Sequence, residues 1–143
     1  MLVISPHLDD AVFSCAAALA ASPGAVVCPI SAGAPREALG TDWDTQCGFA
    51  NAHQQMHARR ADEPPRWGTL DAQPLHLDLL DSQYAGDVST TSDGVASVLF
   101  GVTRTNAFPI LLIPLGLLHS DHRLVHAACQ SVWRAEPHAD VHR

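Results

Sequence analysis

Short apolar runs recur along the chain, each followed by a polar loop and then by a segment of helical periodicity. Leu2 to Ser5 is such a run, closed by Pro6, and reads as a buried strand that begins almost at the first residue. Asp9 or Asp10 can cap the segment after it, where Ala11 to Ala21 has high helix propensity until Ser22-Pro23-Gly24 ends it. Ala25 to Ile30 is a second strand-length run, with Pro29 expected to bend or fray its end. Residues 31–48, rich in Gly, Ala, Pro and Asp, read as a long surface loop and as the candidate rim of a site. Phe49 to Asp62 is predicted to be an exposed helix, broken or kinked by Pro64-Pro65.

In Pro74 to Leu80, Leu75, Leu77 and Leu79 alternate with His76 and Asp78, the pattern of a half-buried strand. A helix over about Asp93 to Arg104 carries Val95, Val98, Leu99 and Val102 on one face. Pro109 to Leu115, the most apolar run, is expected to be a central strand. The final helix spans about Asp121 to Arg134, with Leu124, Val125, Ala128 and Val132 along one side. It runs nearly to the C-terminus, so no strand is expected after it. Strands alternating with helices predict right-handed βαβ units and an α/β, Rossmann-like open sheet, mostly parallel, with helices on both faces. In such sheets the ligand lies at the carboxyl ends of the strands.

Length and composition narrow the function. At roughly 100 to 200 residues per domain, 143 residues make a single domain over 1–143, and the 47% hydrophobic content is enough for a core. A net charge of -7, with no basic run beyond Arg59-Arg60, argues against nucleic acid as a partner. The Ala-rich stretch is too short to span a bilayer and no basic n-region precedes it, so the expectation is no membrane, no export and a cytoplasmic location. Cys15, Cys28, Cys47 and Cys129 form no C-x-x-C pair and read as reduced thiols. Nine histidines are many for this length, and His is both a proton shuttle and the commonest metal ligand.

Two polar clusters each follow a predicted strand: Pro6-His7-Leu8-Asp9-Asp10 and His119-Ser120-Asp121-His122. Both therefore project to one edge of the sheet. A catalytic zinc takes three ligands from His and carboxylate and keeps a position open for water. His7 and one of Asp9 or Asp10 supply two, and His119 or His122 the third. The remaining aspartate is then free to take a proton from that water. The plainer reading is that Asp9, Asp10 and Asp121 merely cap helices. His126 lies one turn beyond His122 and is a candidate to support it, whereas His53, His57 and His76 read as polar positions away from any ligand. His138 and His142 fall in an exposed tail; Trp43, Trp67 and Trp133 read first as packing anchors, with Trp43, in the long loop near the site edge, also a candidate to line a pocket.

Ser5-Pro6-His7-Leu8-Asp9-Asp10-Ala11-Val12 resembles the first signature of the LmbE-like, GlcNAc-phosphatidylinositol de-N-acetylase (PIG-L) family of zinc-dependent deacetylases. Pro114-Leu115-Gly116 through His119-Ser120-Asp121-His122-Arg123-Leu124-Val125 resembles its second, H-x-D-H signature. Between them, Ala58-Arg59-Arg60-Ala61-Asp62 and Leu77-Asp78-Leu79-Leu80-Asp81-Ser82-Gln83-Tyr84 resemble the family's arginine-bearing helix and its acidic loop. The resemblance implies that His7, Asp10 and His122 bind zinc, that Asp9 is the general base and that His119 stabilises an oxyanion. It further implies that Arg59 and Asp81 hold a small N-acetylated substrate, such as an amino sugar. Family members generally continue past the second signature; a homo-oligomer that supplies this wall from a neighbour favours activity, and a monomer with an open site favours a non-catalytic member. Two rivals are a non-haem iron oxygenase, whose facial triad uses the same ligand types, and a degenerate member that binds without turnover.

Overall fold

The computed structural model describes residues 1–85, 90–106, 108–135 and 140–142, with the side chains of 64–66 and 140–142 outside that description. In chain order the elements are β1 (Leu2–Ser5), α1 (Asp10–Ala20), β2 (Val26–Pro29), α2 (Asp42–Gln46), α3 (Ala52–Ala61) and α4 (Glu63–Leu70). There follow β3 (Gln73–Pro74), a 3-10 turn (Ser82–Tyr84), α5 (Ser92–Thr105), β4 (Ile110–Leu112), α6 (Ser120–Ala135) and β5 (Asp140–His142). The five strands form one sheet in the order β3-β2-β1-β4-β5, and every pair in it is parallel.

Side-chain alternation explains why strands this short hold. Leu2 and Ile4 of β1, with Cys28 of β2, face a core built with Val95 and Leu99 of α5 and Val125, Cys129 and Val132 of α6. Val3 and Val27 face the other way, onto Ala11 and Leu19 of α1 and Trp67 of α4. Both faces are thus covered, which is why the strands read as continuous apolar runs. α1 and α4 lie on one face, α5 and α6 on the other, and the sheet grows in opposite directions from β1. The loops after β1 and β4 consequently open at the point where the strand order reverses, the position where open α/β sheets bind ligands.

Several expectations need correction. A strand does follow the last helix: β5 pairs with β4 from Ile110↔Asp140 to Leu112↔His142, so the backbone of His142 belongs to the sheet. His138 lies outside the described residues. The third strand is ladder-bonded for only two residues, yet Leu75 N–H and Leu77 N–H still donate to Val27 and Pro29 carbonyls at 2.7 and 2.9 Å. The helix before Pro64-Pro65 does end, at Ala61, as expected, and the prolines then sit in the first turn of α4, where fixed proline φ is pre-organised. Residues 31–48 are not all surface loop, since Thr41 and Asp44 form a reciprocal capping box that starts α2 and Asp44 is fully buried. Among the described residues no helix is long and apolar enough to cross a membrane.

The loop from β4 to α6 is held tightly. His126 Nδ1–H donates to the Pro114 carbonyl at 2.8 Å. Gly116 has φ +73°, and a Cβ there would lie 2.6 Å from the His126 Cβ. Gly116→Ala is therefore expected to lower stability by about 1–3 kcal/mol, read as a fall of several degrees in Tm. A variant melting with the wild type would refute this account of the loop.

Candidate metal and catalytic site

The sequence order Pro6 to Asp10 places a turn between β1 and α1, and its polar groups are satisfied internally. Ser5 Oγ donates to the His7 carbonyl at 2.6 Å and accepts from the Ala11 amide at 3.1 Å, while the His7 amide donates to Asp10 Oδ2 at 2.9 Å. Asp9 is the N-cap residue of α1 by position, but its side chain makes no capping bond. The capping explanation thus does not account for Asp9. It is equally insufficient for Asp121, which is buried, accepts the Ser82 amide at 3.1 Å and takes a hydrogen bond from His7 Nε2 at 3.2 Å.

His7 joins the two signatures. Its Nδ1 lies 3.2 Å from Asp10 Oδ2, and the same oxygen lies 3.2 Å from His122 Nε2. Candidate donor atoms of His7, Asp10 and His122 all lie within 4.8 Å of one another. A tetrahedral ion with bonds near 2.0–2.1 Å holds its ligand atoms about 3.3 Å apart, so the Asp10 separations suit a zinc-sized ion. Meanwhile His7 Nε2 faces carboxylates, Asp121 at 3.2 Å and Asp81 at 3.7 Å. A ligand imidazole whose second nitrogen is held by carboxylate is the usual support for a metal-binding His.

A second group, His7, His119 and Asp121, also meets the distance test. It is the weaker donor set, because His119 Nδ1 already accepts the Asp121 amide at 3.3 Å. That bond leaves the proton of a neutral His119 ring on Nε2, available as a donor. The His119 side chain is 53% exposed, and its ring centroid lies 5.2 Å from that of His7 and 5.6 Å from that of His122.

The charges favour a cation here. Burial alone pulls the His7 imidazole down, but hydrogen bonds to Asp10 and Asp121 and the charges of Asp81 and Asp10 reverse this and push it up to about 10. Burial pulls Asp121 upward, yet the His7 and Ser82 hydrogen bonds bring it down to about 2. Asp10 is likewise held below the usual carboxylate range by His7 and His122, against its own burial.

The donors open onto a cleft of about 590 Å³ lined by His7, Asp9, Trp43, Arg59, Asp81, Ser82, Gln83, His119 and His122. Every residue singled out for chemistry except Asp10 lines it, and Asp10 touches His7 and His122 from behind. Arg59, not its neighbour, belongs to the cleft: Arg60 turns away to donate to the Ala32 carbonyl at 2.5 Å and to Asp78 at 2.7 Å. Asp81 accepts the Gln83 amide and Gln83 Nε2, both at 3.1 Å.

Other histidines lie elsewhere. His126 does not support His122, since its ring nitrogens bond Pro114 and Gln130. His53 meets the Glu37 carbonyl and His76 the buried Glu63. Sequence reasoning missed the part played by Asp121, and it missed a buried knot in which Tyr84 OH donates to Asp44 Oδ1 at 2.5 Å and meets the Gln55 side-chain amide. The legible signal for the knot was the capping box, Thr41-x-x-Asp44. Burial pushes Asp44 up, but hydrogen bonds from Tyr84 and Thr41, with the Arg59 charge, hold its carboxyl below the usual range.

No protein-family model matches the sequence, and no curated protein does. Solved structures do match. A teicoplanin-pathway deacetylase superposes with TM-score 0.83 at 23% identity over 98% of this chain and 61% of its own. A zinc-inhibited form of the teicoplanin deacetylase Orf2 gives 0.85 at 21%, over 98% and 65%. N,N'-diacetylchitobiose deacetylase from Pyrococcus horikoshii gives 0.70 at 18%, over 93% and 48%. The 4-carboxy-2-hydroxymuconate hydratase from Pseudomonas putida gives 0.71 at 21%, over 92% and 54%. The fold is therefore that of the LmbE-like and PIG-L deacetylases, and the chain spans less than two thirds of the length of these neighbours.

Metal analysis of the purified chain is expected to find zinc in stoichiometric amount, lost in Asp10→Ala and in His122→Ala. Full retention by both variants would eliminate this donor set. Asp121→Ala keeps the donors but removes the partner of His7, and should weaken metal affinity by about 10- to 100-fold. Asp44 has a depressed folded value, so its stabilisation is complete above the unfolded carboxylate value of about 3.9 and is lost as pH falls through the folded one. Asp44→Asn is expected to lose about 1–3 kcal/mol at neutral pH and to flatten the acid limb of the stability curve. An unchanged acid limb in denaturation measured against pH would contradict this.

Proposed function

We propose that this chain is an N-deacetylase that hydrolyses the acetamide of an amino sugar or a related small conjugate, with zinc held by His7, Asp10 and His122. The observation that carries the reading is Asp9, a carboxylate at the N-cap of α1 without a capping bond, in one cleft with His7, His119 and His122. A bound zinc would supply Lewis acidity, polarising the acyl carbonyl and acidifying water.

The protein's own groups account for the rest. Asp9 accepts the proton of the attacking water and later returns it to the leaving nitrogen, a general base that becomes a general acid. His119, with Nδ1 occupied by the Asp121 amide, donates from Nε2 to the oxygen that gains charge as the carbonyl becomes tetrahedral. His7 keeps its orientation because Asp121 and Asp81 hold its far nitrogen. Arg59 and Asp81 line the same cleft, where a guanidinium donates to polar substituents and a carboxylate accepts from hydroxyls. The products are acetate and a free amine.

A hydratase shares the fold, so the fold alone does not select the reaction. Amide hydrolysis is favoured by an unengaged carboxylate and an imidazole donor in the same cleft as the donor cluster. Asp9→Asn should retain zinc and lose turnover by about 10²- to 10⁴-fold, and His119→Ala by about 10²- to 10³-fold. Acetate release from a panel of N-acetyl amino sugars, assayed beside zinc content, checks both. Undiminished activity in Asp9→Asn would remove Asp9 as the base, and zinc-loaded wild type that releases no acetate would leave a binding module.

A further inference from the structure

One large side chain of the cleft has no part in that chemistry. Trp43 lines the same cleft as Arg59, Asp81, Gln83, His7 and His119, and stands 51% exposed. An indole left half in water forgoes much of the apolar burial that makes tryptophan useful to a core. Its neighbour Asp44 is 0% exposed and tied down on every side. Asp44 Oδ2 accepts the Thr41 amide at 2.8 Å and the Thr41 hydroxyl at 3.0 Å, and Oδ1 accepts the Tyr84 hydroxyl at 2.5 Å. Gln55 of α3 closes on the same hydroxyl. Thr41 also donates to Gln83 Oε1 at 3.1 Å, and Gln83 donates to Asp81. A five-residue helix is thereby fastened to the wall that carries Arg59 and Asp81.

An aromatic surface beside a guanidinium and carboxylates suits a particular ligand shape. A pyranose ring has one face of C–H bonds and an edge of hydroxyls, so it can lie on the indole while its edge meets Arg59 and Asp81. Resting on the deacetylase reading above, we propose that Trp43 determines substrate choice. Its indole is the platform for the apolar face of the amino-sugar ring, and the buried Asp44–Tyr84–Gln55 knot is the positioning device that holds it there.

The test compares wild type, Trp43→Ala, Trp43→Phe and Tyr84→Phe as intact, zinc-loaded chains acting on N-acetylglucosamine and its β-1,4-linked dimer. Trp43→Ala should raise KM by about tenfold, equivalent to about 1.4 kcal/mol, with kcat within about twofold of wild type. Trp43→Phe should restore most of the loss, and Tyr84→Phe should raise KM several-fold at unchanged zinc content. A Trp43→Ala enzyme with unaltered KM overturns the proposal, whatever Tyr84→Phe does. Tryptophan fluorescence of Asp9→Asn, which binds without turnover, should change on titration with N-acetylglucosamine, and Asp9→Asn/Trp43→Phe should show no change. If wild type releases no acetate, the deacetylase reading falls, while the same titration still decides the platform: a Trp43-dependent signal keeps it and silence rejects it.

Discussion

Both ring nitrogens of His7 are engaged, and their partners come from distant parts of the chain. Nδ1 meets Asp10 three residues on, whereas Nε2 meets Asp121, 114 positions away. The site depends on this double engagement, because it sets the ring plane and lines one nitrogen up with Asp10 and His122. It also concentrates carboxylates around one imidazole until a positive charge there is strongly favoured. The sheet makes the meeting possible. β1 sits between β2 and β4, and α1 and α6 leave on opposite faces, so the two signature loops share one crevice.

The second wall is built by different means. No strand end carries Trp43, Arg59 or Asp81. Their positions depend on a polar knot buried between α2, α3 and the 3-10 turn. Such a knot is well suited to the task, since an orphaned buried carboxylate or hydroxyl costs about 1–3 kcal/mol and so resists opening. The donor cluster therefore rests on the loops after β1 and β4, and the lining that includes Trp43, Arg59 and Asp81 on a hydrogen-bonded cluster. Asp81, 3.7 Å from His7 Nε2, joins the two.

Much of this was legible beforehand. The helices expected near 93–104 and 121–134 are α5, Ser92–Thr105, and α6, Ser120–Ala135, because both present apolar residues at helical spacing. The two signatures stand at strand ends as their positions suggested. The short third strand, the strand after α6 and the helix inside residues 31–48 were less legible, since each depends on a partner or a cap rather than on periodicity.

By itself the sequence determined the alternation of strand and helix, the burial of both sheet faces and the choice of His and Asp after β1 and β4. These are local properties, written in spacing and residue type. Only the tertiary structure decided that Asp9 is not spent on its helix end, that Asp121 serves His7, and that Asp44 is buried against Tyr84. An aspartate in the first turn of a helix can cap, ligate or brace with equal ease. Which of these it does is settled by neighbours that arrive from remote segments once the chain has folded.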